Sequence, residues 1–191
     1  MDKILEYMLE EDEGFGDVTS NSVIDKNEAV NAYIVSKDDG ILAGIDVAKQ
    51  LFESKDVRVI FHLNDGCGIK KGDLLMSLSG NARDILLVER TALNLLMRMS
   101  GVASAANQYV KLVEKKVIMA GTRKTQPAIG KFDKMALEIG GADTHRFSLD
   151  DMVLIKDNHI AVVGSPIKAL KKAQENVSFS KKIEIEVESL E

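Results

Sequence analysis

The sequence has 191 residues, of which 45% are hydrophobic and 29% are charged, and its formal net charge is -5 at pH 7. These proportions are ordinary for a soluble globular protein, and the acidic balance argues against a general nucleic-acid-binding protein, which carries a basic excess. The single Cys67 cannot form an internal disulfide, and no apolar stretch has the length of a signal peptide or a membrane span. We therefore expect a soluble protein of the cytoplasm.

The first part of the chain predicts a short helix followed by strands. Asp2 is a typical cap for a helix beginning beside it, and the acidic, Gly-containing stretch 10–17 indicates a loop. Alternation of apolar and polar residues, separated by turn residues, then predicts four short strands. These strands are expected at 32–35, 41–43, 57–63 and 74–78. Residues 30–80 are therefore predicted to be a small β-rich unit.

A long helix is predicted next. Asn81 is suited to cap it, apolar residues recur at helical spacing, and Gly101 is expected to end it. A second helix is predicted over 103–115. We expect residues 1–115 to form one domain from the N-terminal helix, the β-rich unit and these connecting helices.

From Val117 onward the pattern alternates between strands and helices. Strands are predicted at 117–120, 152–155 and 183–187, with an amphipathic helix around Phe132 and another beginning at Pro166. This alternation predicts a parallel sheet with crossover connections over 116–191. A closed eight-stranded barrel takes about 250 residues, so an open sheet and an incomplete barrel both remain open.

Polar clusters accompany the three predicted strands of this second part. Arg and Lys suit a substrate with several negative charges, whereas carboxylates suit Mg²⁺ or sugar hydroxyls. Because ligand sites in α/β folds gather at the carboxyl ends of strands, the clusters together indicate a phosphorylated sugar substrate. The cations are Arg123, Lys124, Arg146 and Lys156 with His145 beside them, and the acids on one strand face are Glu184, Glu186 and Glu188.

Each of these features also has a purely structural interpretation. An alternating Glu/Ile strand is typical of a solvent-exposed edge of an open sheet, and Arg123–Lys124 alone is typical of a solvated loop. His145 and His159 are each compatible with surface or core histidines, and His62 has no other interpretation. The coincidence of the clusters at strand ends is what favours a site.

At these residues the sequence resembles the quinolinate phosphoribosyltransferase family, also called nicotinate-nucleotide pyrophosphorylase (carboxylating). The matching blocks keep the family's order along nearly the whole chain. They are residues 11–19, 89–94, 100–101, 122–127, 140–141, 145–146, 154–159 and 185–188.

The resemblance implies a fold and a reaction. The fold is an α+β, β-rich, sandwich-like N-terminal domain followed by an incomplete TIM-like α/β barrel with about three strand–helix units. The reaction converts quinolinate and phosphoribosyl pyrophosphate, with Mg²⁺, into nicotinate mononucleotide, pyrophosphate and CO₂, a step of NAD biosynthesis.

The resemblance also implies residue roles. Residues matching Arg123, His145 and Arg146 hold the substrate carboxylates. Those matching Lys124 and Lys156 contact anionic groups, the one matching Glu186 serves the ribose and metal region, and these three form the expected catalytic set. The residue matching Arg90 comes from the other subunit of a homodimer, or of a higher homo-oligomer. No residue is assigned as a metal ligand.

This chain departs from the family pattern at several positions. Ala128-Ile129-Gly130 stands where the family commonly has Gly, a hydrophobic residue and Arg, so one cation near the anion site is lost. Gln126 and Ala142 replace a usual Thr and Gly. The family also continues with further strand–helix units, an Asp for the metal and a Gly-rich phosphate loop. We therefore expect the sequence either to be a fragment or to bind phosphoribosyl pyrophosphate abnormally.

Three alternatives remain open at this point. One is a pyrophosphorylase of the same fold that acts on another base, for example nicotinate. Another is a truncated, inactive homologue that only pairs with other subunits. The third is a non-enzymatic carrier-like domain, because residues 65–73 resemble a turn of biotinyl or lipoyl carriers, although Lys70 and Lys71 lack the Met-Lys-Met context.

Overall fold

A computed structural model describes residues 2–114 and 116–189, and within these ranges the chain forms seven helices and seven strands. The helices are α1 (Lys3–Glu13), α2 (Val18–Val23), α3 (Ile45–Glu53), α4 (Ala82–Leu112), α5 (Gly130–Ile139), α6 (Asp157–Val163) and α7 (Pro166–Asn176). The strands are β1 (Ala29–Val35), β2 (Gly40–Ile41), β3 (Arg58–Phe61), β4 (Gly68–Ile69), β5 (Leu74–Asn81), β6 (Val153–Ile155) and β7 (Ile183–Ile185). They fall into two compact units, the first reaching Thr144 and the second beginning at His145.

Side-chain caps define the first two helices. The Ile4 amide donates to Asp2 Oδ1 at 3.0 Å, which confirms the predicted start of α1. The amides of Thr19 and Ser20 donate to Asp17 Oδ1, each at 2.9 Å, and so begin α2. The loop expected over 10–17 was wrong at its first border, because α1 continues to Glu13. Its second border is confirmed, since Asp17 is the extended residue that caps α2.

The predicted strands of the first unit form an antiparallel sheet of order β1-β5-β3, and β2 pairs with β4 in a second, two-stranded ladder. Between β2 and β3 lies helix α3, which was not predicted within this β-rich segment. Its N-cap Gly44 has no side chain to offer, and Asp65 Oδ1 instead accepts from the Ile45 amide at 3.0 Å. The cap thus comes from a turn twenty residues away, beyond any local sequence signal.

Helix α4 confirms Asn81 as its cap, with the Arg83 amide donating to Asn81 Oδ1 at 2.9 Å. The predicted stop at Gly101 was wrong, because α4 continues to Leu112 and absorbs the predicted second helix. Gly101 is exposed, whereas Ala103 and Ala106 beyond it are buried. The buried stripe continues past the glycine, and packing of that stripe outweighs the weak helix preference of one residue.

The core of the first unit joins α4 to the neighbouring helices and strands, and Phe52, Met76 and Met99 lie in it with no exposed surface. The end of α5 approaches α4 very closely. A Cβ added to Gly140 would lie 2.4 Å from the Ala103 carbonyl oxygen. Only a residue without a side chain permits this approach.

In the second unit β6 and β7 pair in parallel, with Val153 opposite Ile183, which confirms the predicted parallel arrangement for these two strands. The Lys168 amide donates to Ser165 Oγ at 3.4 Å, and Pro166 begins α7 as predicted. The short helix α6 was not predicted. No described helix is long and apolar enough to cross a membrane.

The first of the three strands predicted after residue 116 does not form as a strand. Ala120 makes a single parallel bridge with Asp143, and the preceding Val117 and Ile118 are exposed. Pairing is limited to this bridge and its hydrogen bonds, because the apolar side chains before it have no packed surface against which to lie.

Candidate active site

The two cations of the first unit lie in the loop after the Ala120 bridge. The Lys124 amide donates to Thr122 Oγ1 at 3.1 Å, which closes a tight turn around Arg123. Arg123 and Lys124 are both exposed. The turn therefore holds the backbone while leaving both cationic side chains free to meet an anion from solvent.

Close by, the sequence departure at 128–130 has a structural consequence. Ala128 lies in the left-handed region with φ 67°, a conformation that favours glycine. A Cβ at Gly130 would lie 2.8 Å from Thr125 Oγ1, so a side chain there requires the hydroxyl to rotate away.

In the second unit, a lysine–glutamate pair lies where two adjacent strands end. Lys156 follows β6 and Glu186 follows β7, and Lys156 Nζ lies 2.7 Å from Glu186 Oε2. The Glu186 amide also donates to the Ile155 carbonyl oxygen at 2.9 Å, which extends the parallel pairing to this point. Glu186 is paired with Lys156, but its side chain is 63% exposed and solvent still reaches the carboxylate.

His145 and Arg146 open the second unit. His145 has φ 52°, and its Nε2 lies 3.1 Å from Glu184 Oε2, the acid preceding Glu186 on the same strand face. Arg146 is only 7% exposed, and its Nη1 donates to the Met152 carbonyl oxygen at 3.5 Å. The second unit therefore brings four predicted site residues onto one strand pair and its entry loop, each beside a defined partner.

The tautomer of His159 follows from its hydrogen bond. The Lys156 amide donates to His159 Nδ1 at 3.0 Å, so Nδ1 accepts and any ring proton resides on Nε2. This bond ties the start of α6 to the residue that carries the strand-end ammonium.

Arg90 belongs to another surface. It lies in α4 on an exposed side of the helix, where Leu86 is 43% and Met97 57% exposed. Arg123 and Lys124, like Arg90, belong to the first unit, whereas His145, Arg146, Lys156 and Glu186 belong to the second.

Two charged residues of α5 are buried although their sequence did not predict it. Asp133 is 6% and Lys134 2% exposed, and Arg98 of α4 donates to both Asp133 carboxylate oxygens at 2.8 and 2.9 Å. This hydrogen-bonded carboxylate raises the pKa of the Arg98 guanidinium. An Asp-Lys pair inside an amphipathic helix carries no sequence signal of burial, since such residues usually face solvent.

No group of three or more His, Cys, Asp or Glu side chains in the described residues has the arrangement of a metal cage. Mg²⁺ in phosphate chemistry is held by one or two carboxylates together with substrate oxygens. Glu184 and Glu186, the acids on β7 and directly after it, fit that smaller requirement because both carboxylates are partly exposed.

The parallel strand pair and its crossover helices place this part of the chain in the α/β class, whose ligand sites lie at the carboxyl ends of strands, where Lys156 and Glu186 are found. The particular family is shown by its two domain models. Residues 17–100 match the model described as quinolinate phosphoribosyl transferase, N-terminal domain, and residues 102–191 match its C-terminal domain. The chain belongs to the quinolinate phosphoribosyltransferase family, whose members are decarboxylating pentosyltransferases.

Individual relatives agree. A probable nicotinate-nucleotide pyrophosphorylase [carboxylating] of Methanothermobacter thermautotrophicus is 44% identical over 97% of this chain and 68% of its own length. Its namesake in Methanocaldococcus jannaschii is 49% identical over 98% of this chain and 66% of its own length. The crystal structure of NadC from Streptococcus pyogenes superimposes with a TM-score of 0.92 at 38% identity, covering 99% of this chain and 69% of that one. The chain thus spans about two thirds of the length of these relatives.

Proposed function

We propose that this protein transfers the phosphoribosyl group of phosphoribosyl pyrophosphate to the ring nitrogen of quinolinate. The products are nicotinate mononucleotide, pyrophosphate and CO₂. Family membership supports the reaction class, and the observation that carries the site is the 2.7 Å pair between Lys156 and Glu186 at adjacent strand ends.

In this proposal fixed cations select the dianionic base. Arg123, His145 and Arg146 bind the two carboxylates of quinolinate, and the exposure of Arg123 supports its availability to a ligand. Guanidinium groups suit this role because they pair bidentately with carboxylates. A base held in one orientation presents its ring nitrogen to the ribose carbon, and such positioning supplies much of the rate.

The acids and lysines then act on the sugar. As the bond to pyrophosphate breaks, positive charge grows on the ribose carbon, and the Glu186 carboxylate stabilises it electrostatically. Lys124 and Lys156 contact the anionic groups of the bound substrates, including the pyrophosphate that leaves. Mg²⁺, held by the Glu184 and Glu186 region together with the substrate, would neutralise pyrophosphate oxygens when bound.

Decarboxylation follows from the new bond to nitrogen. The carboxylate on the ring carbon next to that nitrogen leaves as CO₂, and the electrons of the broken carbon–carbon bond remain on the ring carbon. The positively charged nitrogen stabilises this carbanion until a proton adds, so no nucleophilic side chain is required.

The wider setting belongs to the same proposal. The β6–β7 unit is part of an incomplete TIM-like barrel, and the protein acts in the cytoplasm as a homodimer or higher homo-oligomer. Arg90 would then reach the partner's site, which its exposed position on α4 supports.

The test is release of labelled CO₂ from carboxyl-labelled quinolinate, which we expect only when phosphoribosyl pyrophosphate and Mg²⁺ are both present. Arg123→Ala should lower this rate more than tenfold, about 1.4 kcal/mol of barrier. Arg58→Ala, which removes an exposed arginine of β3, should leave it unchanged. Equal rates for the two variants would remove Arg123 from the site.

Calorimetry separates the substrates. Quinolinate should bind at least tenfold more tightly than nicotinate, about 1.4 kcal/mol, because nicotinate lacks the second carboxylate. Equal, weak binding of both would favour a pyrophosphorylase for another base.

A further inference from the structure

Lys134 is a charged side chain inside the first unit. It lies on α5 with only 2% of its surface exposed. Removing an ammonium group from water is strongly unfavourable unless hydrogen bonds and opposite charges compensate for it. Its partners therefore indicate why the chain keeps a lysine at this position.

The ammonium contacts two separate segments. Lys134 Nζ donates a hydrogen bond to the Thr144 carbonyl oxygen. A Cβ built on Gly121 would lie 3.5 Å from the same Nζ and closer still to Leu137 Cδ1, so two side chains of α5 approach this part of the backbone. Gly121 lies two residues before Arg123 in the chain, and Thr144 directly precedes His145.

The backbone also joins these two segments. The Gly121 amide donates to the Asp143 carbonyl oxygen at 2.9 Å, and the Asp143 amide donates to the Met119 carbonyl oxygen at 2.8 Å. These bonds surround the single bridge between Ala120 and Asp143. Lys134 thus lies beneath the only parallel bridge of the described part of the first unit.

The charges around Lys134 act in opposite directions. Burial lowers the pKa of its ammonium, the nearby Asp143 carboxylate raises it, and the Arg123 guanidinium lowers it again. Lys134 and Arg123 are therefore close enough to repel each other. A carboxylate bound to Arg123 would offset that repulsion, since its negative charge is attracted to both cations.

We propose that Lys134 is a positioning residue for the anion site, fixing the Gly121–Arg123 turn to the Thr144 carbonyl and adding its charge to the field at Arg123. The ligand class is a dicarboxylate, so this inference rests on the proposed function. Lys134 acts through Arg123 and does not itself contact the substrate.

The experiment compares Lys134→Met, which keeps the length of the stem and removes the charge, with Lys131→Met on the same helix. Lys131 is an exposed lysine paired with Asp2 at 2.5 Å, so the control makes the same chemical change at the surface. Lys134→Gln, which keeps a donor without the charge, serves if the methionine variant does not fold. Quinolinate affinity is measured by calorimetry over a range of alkaline pH, and backbone amide shifts are recorded without ligand.

We expect Lys134→Met to weaken quinolinate binding at least tenfold and Lys131→Met to change it less than twofold. Wild-type affinity should fall as pH rises through the lowered pKa of Lys134, because the neutral amine attracts no carboxylate, and the methionine variant should lack this step. The amides of Gly121 to Lys124 and of Thr144 should shift without ligand. Uniform loss of stability with an unchanged pH profile would indicate an ordinary core role and overturn the inference.

Failure of the inference differs from failure of the proposed function. If wild-type protein binds quinolinate and Lys134→Met binds within twofold of it, the inference is wrong and the function stands. If wild-type protein does not bind quinolinate, the proposed function is wrong, and the amide shifts without ligand then test the inference about Lys134. Unchanged shifts at 121–124 and 144 would then overturn the tie between the segments, and changed shifts would retain it.

Discussion

At Ala128 and His145 the backbone adopts a left-handed conformation without glycine, with φ of 67° and 52° respectively. This conformation places Cβ against a carbonyl oxygen, although histidine adopts it more often than most residues. Both positions belong to segments that carry proposed substrate contacts. Strain of this kind persists where surrounding contacts fix the chain, and His145 has such a contact in Glu184 at 3.1 Å.

Ala128 provides a direct test of that strain. We expect Ala128→Gly to raise the free energy of unfolding by about 1 kcal/mol, since relief of the left-handed strain exceeds the added freedom of the unfolded chain. Urea denaturation measures the change. Ala105→Gly, at an exposed position inside α4, should lower stability by a similar amount, about 1 kcal/mol. A loss at position 128 as well would show that its backbone is not strained.

How far the sequence predicts individual site residues depends on the range of their contacts. Arg123 and Lys156 follow short apolar segments, whereas Glu186 alternates with apolar residues inside a predicted strand, and both local patterns are visible without a structure. Lys134 is different, because its burial depends on the Thr144 carbonyl ten positions later and on Gly121 before it. Contacts between distant segments leave no periodic trace in the sequence.

At the level of elements, α4 shows how packing decides where a helix ends. Periodicity predicted its start at Asn81 and its buried stripe, but it also predicted a stop at Gly101 that does not occur. Gly101 is helical, so the residue has none of the left-handed geometry that ends helices. Helix α3 was missed for a related reason, because its cap is Asp65 from another turn.

Gly101 should therefore tolerate substitution by alanine. A Cβ there would meet no atom within 4 Å, so we expect Gly101→Ala to stabilise the protein by about 1 kcal/mol through better helix propensity. Thermal or urea unfolding is a sufficient measurement. The matched change Gly140→Ala should strongly destabilise, since its Cβ would lie 2.4 Å from the Ala103 carbonyl oxygen. Similar effects at both glycines would contradict the close packing of α4 and α5.

At the scale of the whole molecule, burial is unevenly distributed between the two units. Phe52, Met76 and Met99 are completely buried in the first, whereas Ile155 and Ala169 are the buried hydrophobic residues among those described in the second. Several apolar side chains of the second unit are exposed instead. They are Leu149, Val162, Ile167, Phe179 and Val187. The parallel pair β6–β7 was nevertheless predictable, because apolar alternation and a capped helix are local features.

This asymmetry predicts unequal local stability. We expect backbone amides of β6 and β7 to exchange with deuterium at least tenfold faster than those of β5, because fewer buried contacts oppose local opening. Hydrogen exchange followed by mass spectrometry reports both regions in one experiment. Equal protection of the two sheets would mean that the second unit is stabilised by more than the burial described.

The contact between Lys156 and Glu186 also has a consequence for which small ions can enter the site. An anion that takes the place of the Glu186 carboxylate at Lys156 must displace it, so Glu186 competes for that position. Exposed pairs of this kind are worth up to about 1 kcal/mol, roughly a fivefold handicap. We expect this competition to weaken the binding of chloride and acetate, which carry one charge each, by that factor. A phosphate or pyrophosphate group carries more charge and should displace the carboxylate.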